Sequence, residues 1–303
     1  MIPLSEISII NIDKLNNFII GKSMTNNKGI IELCQRLKLI PTKIHHECSG
    51  RYELEEFKST NDGYVFRCSS CKKIRSIRDG TFFSGSKLPL WKILAIVRMI
   101  CYRVNCIEYM MAELEIGENT AVYWHNFVRY IFFGYTERKN NIIGGPGIAV
   151  QVDESSFVRK NFHKDHGRQS SNVWIFGGVD SLGKCFIQTI TDKSKTALLA
   201  IIRQRIHPGS IIITDEYKTF HFLEEKALDS DTSIGSKYEF VSPKSQHTQR
   251  IEVVWSDKTW KDTGGNRKIN LIDSYLDQYL FGNEKKDNVF RAIKAITETY
   301  PLD

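Results

Sequence analysis

The chain has 303 residues, of which 41% are hydrophobic and 25% charged, with a formal net charge of +7 at pH 7. This length predicts about two domains, and the composition excludes a disordered or fibrous chain. The most apolar stretch, residues 91–102, contains Lys92 and Arg98 and is too short to span a bilayer. No basic residue precedes Lys14, and seven cysteines are an odd number. We therefore expect an intracellular protein from a reducing compartment, with no secretory signal and no membrane partner.

The positive charge is concentrated in the first half of the chain. Residues 1–145 hold 20 Lys and Arg against 14 Asp and Glu, whereas residues 146–303 hold 22 against 21. Residues 67–103 alone carry nine basic residues and one acid. Such a stretch is typical of a surface that binds phosphate groups, although a solvated basic surface is the alternative. The residues predicted to contact DNA are Arg67, Lys72, Lys73, Arg75 and Arg78.

The first half of the chain is predicted to contain helices and one small β-rich unit. Residues 1–40 have helical periodicity, which Pro41 ends. Residues 44–83 contain short strands around a turn signal at 61–63. Residues 107–133 have the pattern of a helix-turn-helix, which also occurs in helical bundles that do not contact DNA. The run Gly144-Gly145-Pro146-Gly147 predicts a domain boundary.

The second half of the chain is predicted to fold as a mixed sheet with helices packed on it. The predicted strands cover residues 148–152, 172–179, 184–191, 211–214 and 238–241. The predicted helices cover residues 195–206, 249–261, 271–281 and 289–299. The second and third strands are expected to form a hairpin. The order strand, hairpin, helix, strand, helix predicts the α/β fold class.

A CxxC pair and an HxxC pair predict a structural zinc site. Cys68 and Cys71 form the first pair, and His45 and Cys48 form the second, with 19 residues between the pairs. Two such pairs on short hairpins suit tetrahedral zinc, although His46 is a rival ligand and buried thiols with surface histidines are the alternative. Zinc would substitute for a core that this small unit cannot build. The other cysteines, predicted to be in the core, are Cys34, Cys101, Cys106 and Cys185.

Three acidic residues are predicted to converge at one edge of the mixed sheet. Asp153 follows the strand 148–152, and Asp215 follows the strand 211–214. Glu252 lies early on the helix that begins at residue 249, one face of which is able to pack on the sheet. Three carboxylates suit two Mg²⁺ or Mn²⁺ ions, which catalyse in-line phosphoryl transfer. Taken singly, Asp153 or Asp215 is better explained as a turn residue or a helix cap, and it is the set of three in this order that favours a metal site.

Over nearly its whole length, the chain resembles the Merlin superfamily of DDE transposases and their bacterial insertion-sequence relatives. In the first half, the matching motifs are FRCSSCKK at 66–73, RDGTFF at 78–83 and SKLPLWK at 86–92. In the second half, they are VDES at 152–155, WIFG at 174–177, TDEY at 214–217, HTQRIE at 247–252 with Trp255, and YLDQYLF at 275–281.

The resemblance implies an RNase H-like catalytic domain and assigns the metal-binding triad to Asp153, Asp215 and Glu252. It also assigns His247 to contact phosphate or the leaving oxygen. The chain departs from the family's usual pattern in its HxxC pair, since relatives often have CxxC. It departs again in residues 257–262, where the charges alternate in sign and relatives are more basic.

The resemblance implies a transposase that binds the ends of a DNA transposon, cleaves them and joins them to a target. Its expected partners are double-stranded DNA, as terminal inverted repeats and as target, and a second copy of the chain. Its expected domains are an N-terminal helical segment at 1–43, a zinc ribbon at 44–84, a helix-turn-helix region at 85–143 and the catalytic domain at 148–303. The nucleus is the expected location, and a bacterial cytoplasm also fits.

Two other functions stay open on the sequence alone. One is a domesticated DNA-binding protein derived from such an enzyme, with its zinc ribbon and helices retained and catalysis lost. The other is an RNase H-like nuclease that cuts DNA without joining it. Transfer of a cleaved strand into a second DNA would separate the two enzymes, and any cleavage would exclude the pure binder.

Overall fold

The structure is a computed structural model in which two β-sheets and their helices are described. The described residues are 27–45, 48, 50–104, 106–139, 142–160, 170–214, 239–241, 249–256, 272–283 and 288–302. The predicted site residues His46, Asp215 and His247 lie outside these ranges. So do residues 1–26, which make up more than half of the predicted N-terminal helical segment. Within the described ranges, every helix is too short or too polar to cross a membrane.

Among the described residues, the first half has four helices and four short strands. Helix α1 is Asn27–Arg36, and strands β1 to β4 are Ile44–His45, Arg51–Glu56, Tyr64–Cys68 and Ile74–Ser76. Helices α2, α3 and α4 are Leu90–Cys101, Ile107–Leu114 and Glu118–Lys139. The four strands form an antiparallel sheet in chain order, and the predicted turn at 61–63 joins β2 to β3. Gly63 has a φ of +70° in that turn, a conformation that favours glycine.

A buried ion pair fastens this sheet to the loop that follows it. Arg78 donates from Nε and Nη2 to the two carboxylate oxygens of Asp62, at 2.7 and 2.5 Å, and from Nη1 to the carbonyls of Ser86 and Leu88. Only 6% of Arg78 is exposed. The guanidinium of Arg78 is thus bound within the fold, and the prediction that this residue contacts DNA stays a prediction.

The second half contains the remaining elements. Strands β5, β6 and β7 are Ala149–Lys160, Ser170–Asp180 and Cys185–Ile190. They are followed by helix α5 at Lys195–Arg205, strands β8 and β9 at Ile211–Thr214 and Glu239–Val241, and helix α6 at Gln249–Ser256. Helices α7 and α8 are Ile272–Asn283 and Asn288–Thr299.

These strands form one mixed sheet in the order β7-β6-β5-β8-β9. Strand β5 pairs antiparallel with β6 and parallel with β8, and β8 pairs parallel with β9. The predicted hairpin is formed by β6 and β7. The predicted α/β class, with helices on a mixed sheet, is confirmed.

Strand β5 extends further than the sequence predicted. The parallel pairing with β8 ends at Val152, opposite Thr214, but the antiparallel pairing with β6 continues to Lys160. Asp153 therefore lies inside a strand, and the prediction that the strand ends before it is wrong. Asp153 is nevertheless the first residue beyond the parallel pairing, which places it beside the carboxyl end of β8.

Each face of the mixed sheet packs on helices. One face presents Val152 and Phe176 to a cluster that includes Leu198 and Ile202 of α5. The opposite face packs on α6 and α7. Its buried members include Ile175, Val179, Ile251, Val254, Trp255 and Leu276. The alternation of side chains along β6 separates these two clusters, since successive residues of a strand point to opposite faces.

The chain divides into two compact units, of which one comprises Met1–Ile131 with Lys286–Asp303 and the other Phe132–Lys285. Helix α8 belongs to the first unit, although the predicted catalytic domain extends to residue 303. The reason is its packing: Asn288 donates to the carbonyl of Cys101 on α2, and one face of α8 is buried. The predicted domain ranges stay predictions.

Three of the four cysteines expected in the core are buried, and one is not. Burial raises the pKa of the thiols of Cys34 and Cys101, and Cys185 is also buried. Cys106 is exposed at the start of α3, where its thiol donates to Glu108. The prediction for Cys106 is wrong because the residue stands at the N-cap position of α3 with its thiol exposed.

Candidate active site on the mixed sheet and candidate metal centre on the small sheet

The carboxylate of Asp153 is held by two N–H donors. Its Oδ1 accepts from the backbone N–H of Glu154 at 2.7 Å, and its Oδ2 accepts from Nε1 of Trp255 at 2.8 Å. The group is partly buried, so these bonds set its orientation. Carboxylate oxygens are the ligands that a hard divalent cation prefers.

Trp255 reaches Asp153 across a glycine. Gly177 of β6 lies opposite Asp153 in the antiparallel pairing. A Cβ atom at Gly177 would lie 2.8 Å from Cη2 of Trp255 and 3.0 Å from the carbonyl oxygen of Phe186. Only glycine therefore leaves room for the indole ring at this point of the sheet.

Helix α6 is fastened to strand β5 at its first turn. Oε1 of Gln151 accepts from the backbone N–H groups of Arg250 and Ile251, at 3.0 and 3.2 Å. Because the first N–H groups of a helix have no partner within it, this side chain acts as a cap supplied by the sheet. Arg250 also donates from Nη1 to the carbonyl of Ser181, at 2.6 Å.

Glu252 lies on the exposed side of α6, one turn before Trp255. Ile251, Val254 and Trp255 of the same helix are buried against the sheet. Asp153 lies on β5 and Glu252 on α6. These two elements are joined by the hydrogen bonds of Gln151 to the start of α6 and of Trp255 to Asp153. The third predicted acid, Asp215, follows Thr214, the last residue of β8, and like His247 it lies outside the described residues.

Three predicted zinc ligands come together at the first sheet. The Sγ atoms of Cys48, Cys68 and Cys71 lie within 4.8 Å of one another, and those of Cys48 and Cys68 are 3.3 Å apart. Among the described residues, these three cysteines are the group of His, Cys, Asp or Glu side chains whose potential metal-binding atoms lie this close together. Tetrahedral zinc, with bonds of about 2.3 Å, separates its thiolates by roughly 3.8 Å.

The loop after β3 prepares Cys68 to bind metal. The backbone N–H of Cys71 is hydrogen-bonded to the Cys68 sulfur and lowers the pKa of that thiol to about 7. Lys72 follows with a φ of +59°, and its backbone N–H donates to the Cys68 carbonyl. A thiolate at neutral pH is the form that binds zinc.

The surroundings of the cysteines fit a structural zinc ion. A Cβ atom at Gly50 would lie 2.6 Å from Sγ of Cys68, so glycine is needed beside the cluster. His45 lies on β1, paired with Arg51, but its side chain is outside the described part of the structure, so the fourth ligand stays a prediction.

The remaining basic residues predicted to contact DNA lie around the cysteine cluster. Lys72 and Lys73 are exposed, and Arg75 is partly exposed beside Asp79, at 3.8 Å. Nε of Arg67 forms an ion pair with Glu55, at 3.0 Å. Arg67 is therefore less available to contact a phosphate than Lys72, Lys73 and Arg75. The predicted helix-turn-helix corresponds to α3 and α4, which are joined at Glu115 with a φ of +47°.

Sequence reasoning placed Trp255 on the sheet-facing side of α6 and missed its hydrogen bond to Asp153. It also missed Gln151 as the cap of α6 and Gly177 as the space for the indole. The signal available in the sequence was the tryptophan one helical turn after Glu252, since residues three apart on a helix are neighbours. The Gln151 cap had no local signal, because its partners are about 100 residues away.

The comparisons with known proteins bear on the same part of the chain. Residues 146–284, which contain Asp153 and all of α6, match the ISXO2-like transposase domain. Over this segment, the chain is similar to DDE transposases. The transposase-related segment begins at the predicted domain boundary and includes the whole mixed sheet.

Two individual proteins are similar to the chain at low sequence identity. The male abnormal protein mab-31 of Caenorhabditis elegans is 26% identical over 222 residues, which cover 64% of this chain. The chain spans about half the length of that protein, since the match covers 50% of it. The crystal structure of the Mos1 strand transfer complex is similar over 68% of this chain and 75% of that one, with 12% identity and a TM-score of 0.23. A TM-score at this level supports no inference about the fold.

Proposed function

We propose that this chain is a DDE transposase, a polynucleotidyl transferase that cuts DNA at the ends of a mobile element and joins the cut strand to a target. The observation that carries the proposal is the position of Asp153 and Glu252 within the transposase-related segment. Asp153 lies just past the end of the parallel pairing with β8, and Glu252 lies on a helix capped by the same strand.

The proposed catalytic residues are Asp153, Asp215 and Glu252, with His247 contacting phosphate or the leaving oxygen, in an RNase H-like domain. The donor set fits Mg²⁺ or Mn²⁺, which prefer oxygen ligands and keep several waters. When bound, two such ions activate a water or a 3′-hydroxyl and stabilise the oxygen that leaves. The chain's own part is to hold the carboxylates in fixed positions, as Trp255 and Gln151 hold Asp153 and α6.

The first half of the chain supplies the proposed grip on DNA. Cys48, Cys68 and Cys71, with His45 as the fourth ligand, would bind zinc and complete a zinc ribbon. Lys72, Lys73 and Arg75 would contact phosphates, and α3 and α4 would bind as a helix-turn-helix. Two element ends must be held together for joining, so we propose at least a dimer on DNA. The proposed location is the nucleus.

Nicking of a supercoiled plasmid tests the proposal. Full-length protein, loaded with zinc, would be incubated with Mn²⁺ or Mg²⁺ as wild type, Asp153→Asn and Asp273→Asn. Asp273 is a matched control because it is an exposed carboxylate of the same unit that accepts a bond from Thr189 on β7. We expect metal-dependent nicking by wild type and control, and a loss of at least a hundredfold for Asp153→Asn.

Any of three results would contradict the proposal. Equal nicking by wild type and Asp153→Asn would place the activity elsewhere. No nicking of plasmids that carry the element's own terminal repeats, by protein that binds them, would favour the DNA-binding protein without catalysis. Nicking without transfer of the cut strand into a second DNA would favour the nuclease.

A further inference from the structure

The indole of Trp255 is placed to act on Asp153 and cannot itself be a ligand. Its Nε1–H is a donor only, and it points at Oδ2 of Asp153 from 2.8 Å. The residue is 7% exposed, so water does not compete freely for this N–H. A buried indole N–H without its acceptor would be left unsatisfied, which favours the observed orientation of the carboxylate.

Two other contacts limit the freedom of the ring. The ring lies over Gly177, where a Cβ atom would be 2.8 Å from Cη2, so it cannot approach the strand more closely. Helix α6, which carries Trp255, is held to β5 by the Gln151 cap two residues before Asp153. The indole and the carboxylate are therefore fixed from both sides, by the strand and by the helix.

We propose that Trp255 is a positioning residue for Asp153: its indole N–H holds one carboxylate oxygen, so that the group keeps one orientation when a divalent cation binds. This inference rests on the proposed function, since it takes Asp153 as a metal ligand. Groups that hydrogen-bond to a metal ligand commonly change metal affinity by about 10- to 100-fold when they are removed.

Direct measurement of Mn²⁺ binding tests the inference without measuring activity. Calorimetric titration of zinc-loaded, full-length protein would compare wild type, Asp153→Asn, Trp255→Phe and Trp174→Phe. Trp174 is a matched control because it lies on β6 in the same unit, where its ring contacts the ammonium of Lys193 at 3.3 Å. Mn²⁺ binding that is lost in Asp153→Asn is binding at the Asp153 site. The affinity of that site is then compared between wild type, Trp255→Phe and Trp174→Phe.

We expect Trp255→Phe to bind Mn²⁺ at least tenfold more weakly than wild type and Trp174→Phe to match wild type. Equal affinities for wild type and Trp255→Phe would overturn the positioning role and leave the proposed function standing. If wild type shows no Mn²⁺ binding that depends on Asp153, the proposed function fails and the positioning role fails with it.

A second measurement uses the wild-type sequence, so it does not depend on whether Trp255→Phe folds. In protein labelled with ¹⁵N at its five tryptophans, the indole resonance of Trp255 would be assigned from its contact with Gly177. Addition of Mg²⁺ should shift this resonance, leave that of Trp174 in place, and have no effect in Asp153→Asn. A Trp255 resonance that stays unchanged while Mg²⁺ binds would overturn the inference.

Discussion

Gln151 shows how much one side chain contributes to the geometry of this site. Its amide oxygen accepts two of the N–H groups that α6 cannot satisfy itself, and it lies two residues before Asp153 on the same strand. One residue thus determines where the helix that carries Glu252 and Trp255 begins relative to the strand that carries Asp153.

Replacement of Gln151 by alanine removes this cap. We expect Gln151→Ala to lower the free energy of unfolding by about 1 kcal/mol, the usual cost of losing a helix cap. Urea unfolding followed by circular dichroism would measure it, with Gln204→Ala on the exposed side of α5 as the control. Equal destabilisation by the two substitutions would contradict the capping role.

Arg78 and Asp62 present the opposite case, a predicted functional residue with a structural role. The side chains are 7% and 11% exposed, and the guanidinium is bound by both carboxylate oxygens. Breaking a buried pair by removing one charge leaves the other buried without compensation, which is strongly destabilising.

We therefore expect Asp62→Asn to lower the free energy of unfolding by about 3–5 kcal/mol. The matched control is Asp79→Asn, which breaks the exposed pair with Arg75, whose partners are 41% and 52% exposed; its effect should stay below about 1 kcal/mol. Thermal or urea unfolding would separate them. A small effect of Asp62→Asn would show that the ion pair contributes little to the first sheet.

At the scale of elements, the small antiparallel sheet has little apolar surface of its own. Strand β2 has no fully buried residue, and β3 buries Val65, Phe66 and Cys68. The cluster of Cys48, Cys68 and Cys71 joins the loop after β1 to the end of β3. Metal at this cluster would therefore stabilise the pairing of the strands.

Zinc content tests that account of the sheet. We expect one zinc ion per chain in wild type, and a loss of most of it in Cys71→Ser, because one thiolate ligand is removed. Cys106→Ser is the matched control, since Cys106 is also exposed but lies outside the cluster. Atomic absorption of purified protein would measure the content. Full zinc occupancy in Cys71→Ser would contradict the assignment.

Much of the fold could be predicted from periodicity, and the exceptions have a common physical cause. The sheet-forming runs and the helices α5 and α6 are local patterns, so their positions were predicted within a few residues. The extension of β5 past Asp153 depends on pairing with β6, and the burial of Arg78 depends on Asp62, 16 residues away. The pattern around a single residue does not encode such partners. The convergence of the three acids stays a prediction, because Asp215 lies outside the described residues. Trp255 as a donor to Asp153 became visible only in the fold.

At the scale of the whole molecule, the positive charge is distributed unevenly along the chain. The excess of basic residues lies in the first part of the chain, and exposed Lys72 and Lys73 are next to the cysteine cluster. The segment related to transposases lies in the second part, where acids and bases nearly balance. We therefore propose that one part of the chain binds DNA and the other cuts it.

The salt dependence of DNA binding tests this division. The slope of log K against log salt concentration is negative, and we expect Lys72→Gln with Lys73→Gln to decrease its magnitude by about 1.8, or about 0.9 for each phosphate that the variant leaves unneutralised. Lys184→Gln with Arg203→Gln, which remove two exposed charges from the second unit, is the control. Fluorescence anisotropy would measure both. An equal decrease of slope in the two double variants would contradict the division.

The central claim is that Asp153, Asp215 and Glu252 form one metal-dependent site. The most direct measurement is plasmid nicking with Mn²⁺ by Asp153→Asn, Asp215→Asn, Glu252→Gln and the double variant Asp153→Asn with Glu252→Gln. Residues that act as a unit are strongly non-additive. We predict that each single variant loses nearly all activity and that the double variant loses no more. Nicking by Glu252→Gln at the wild-type rate, with Asp153→Asn inactive, would contradict the single site.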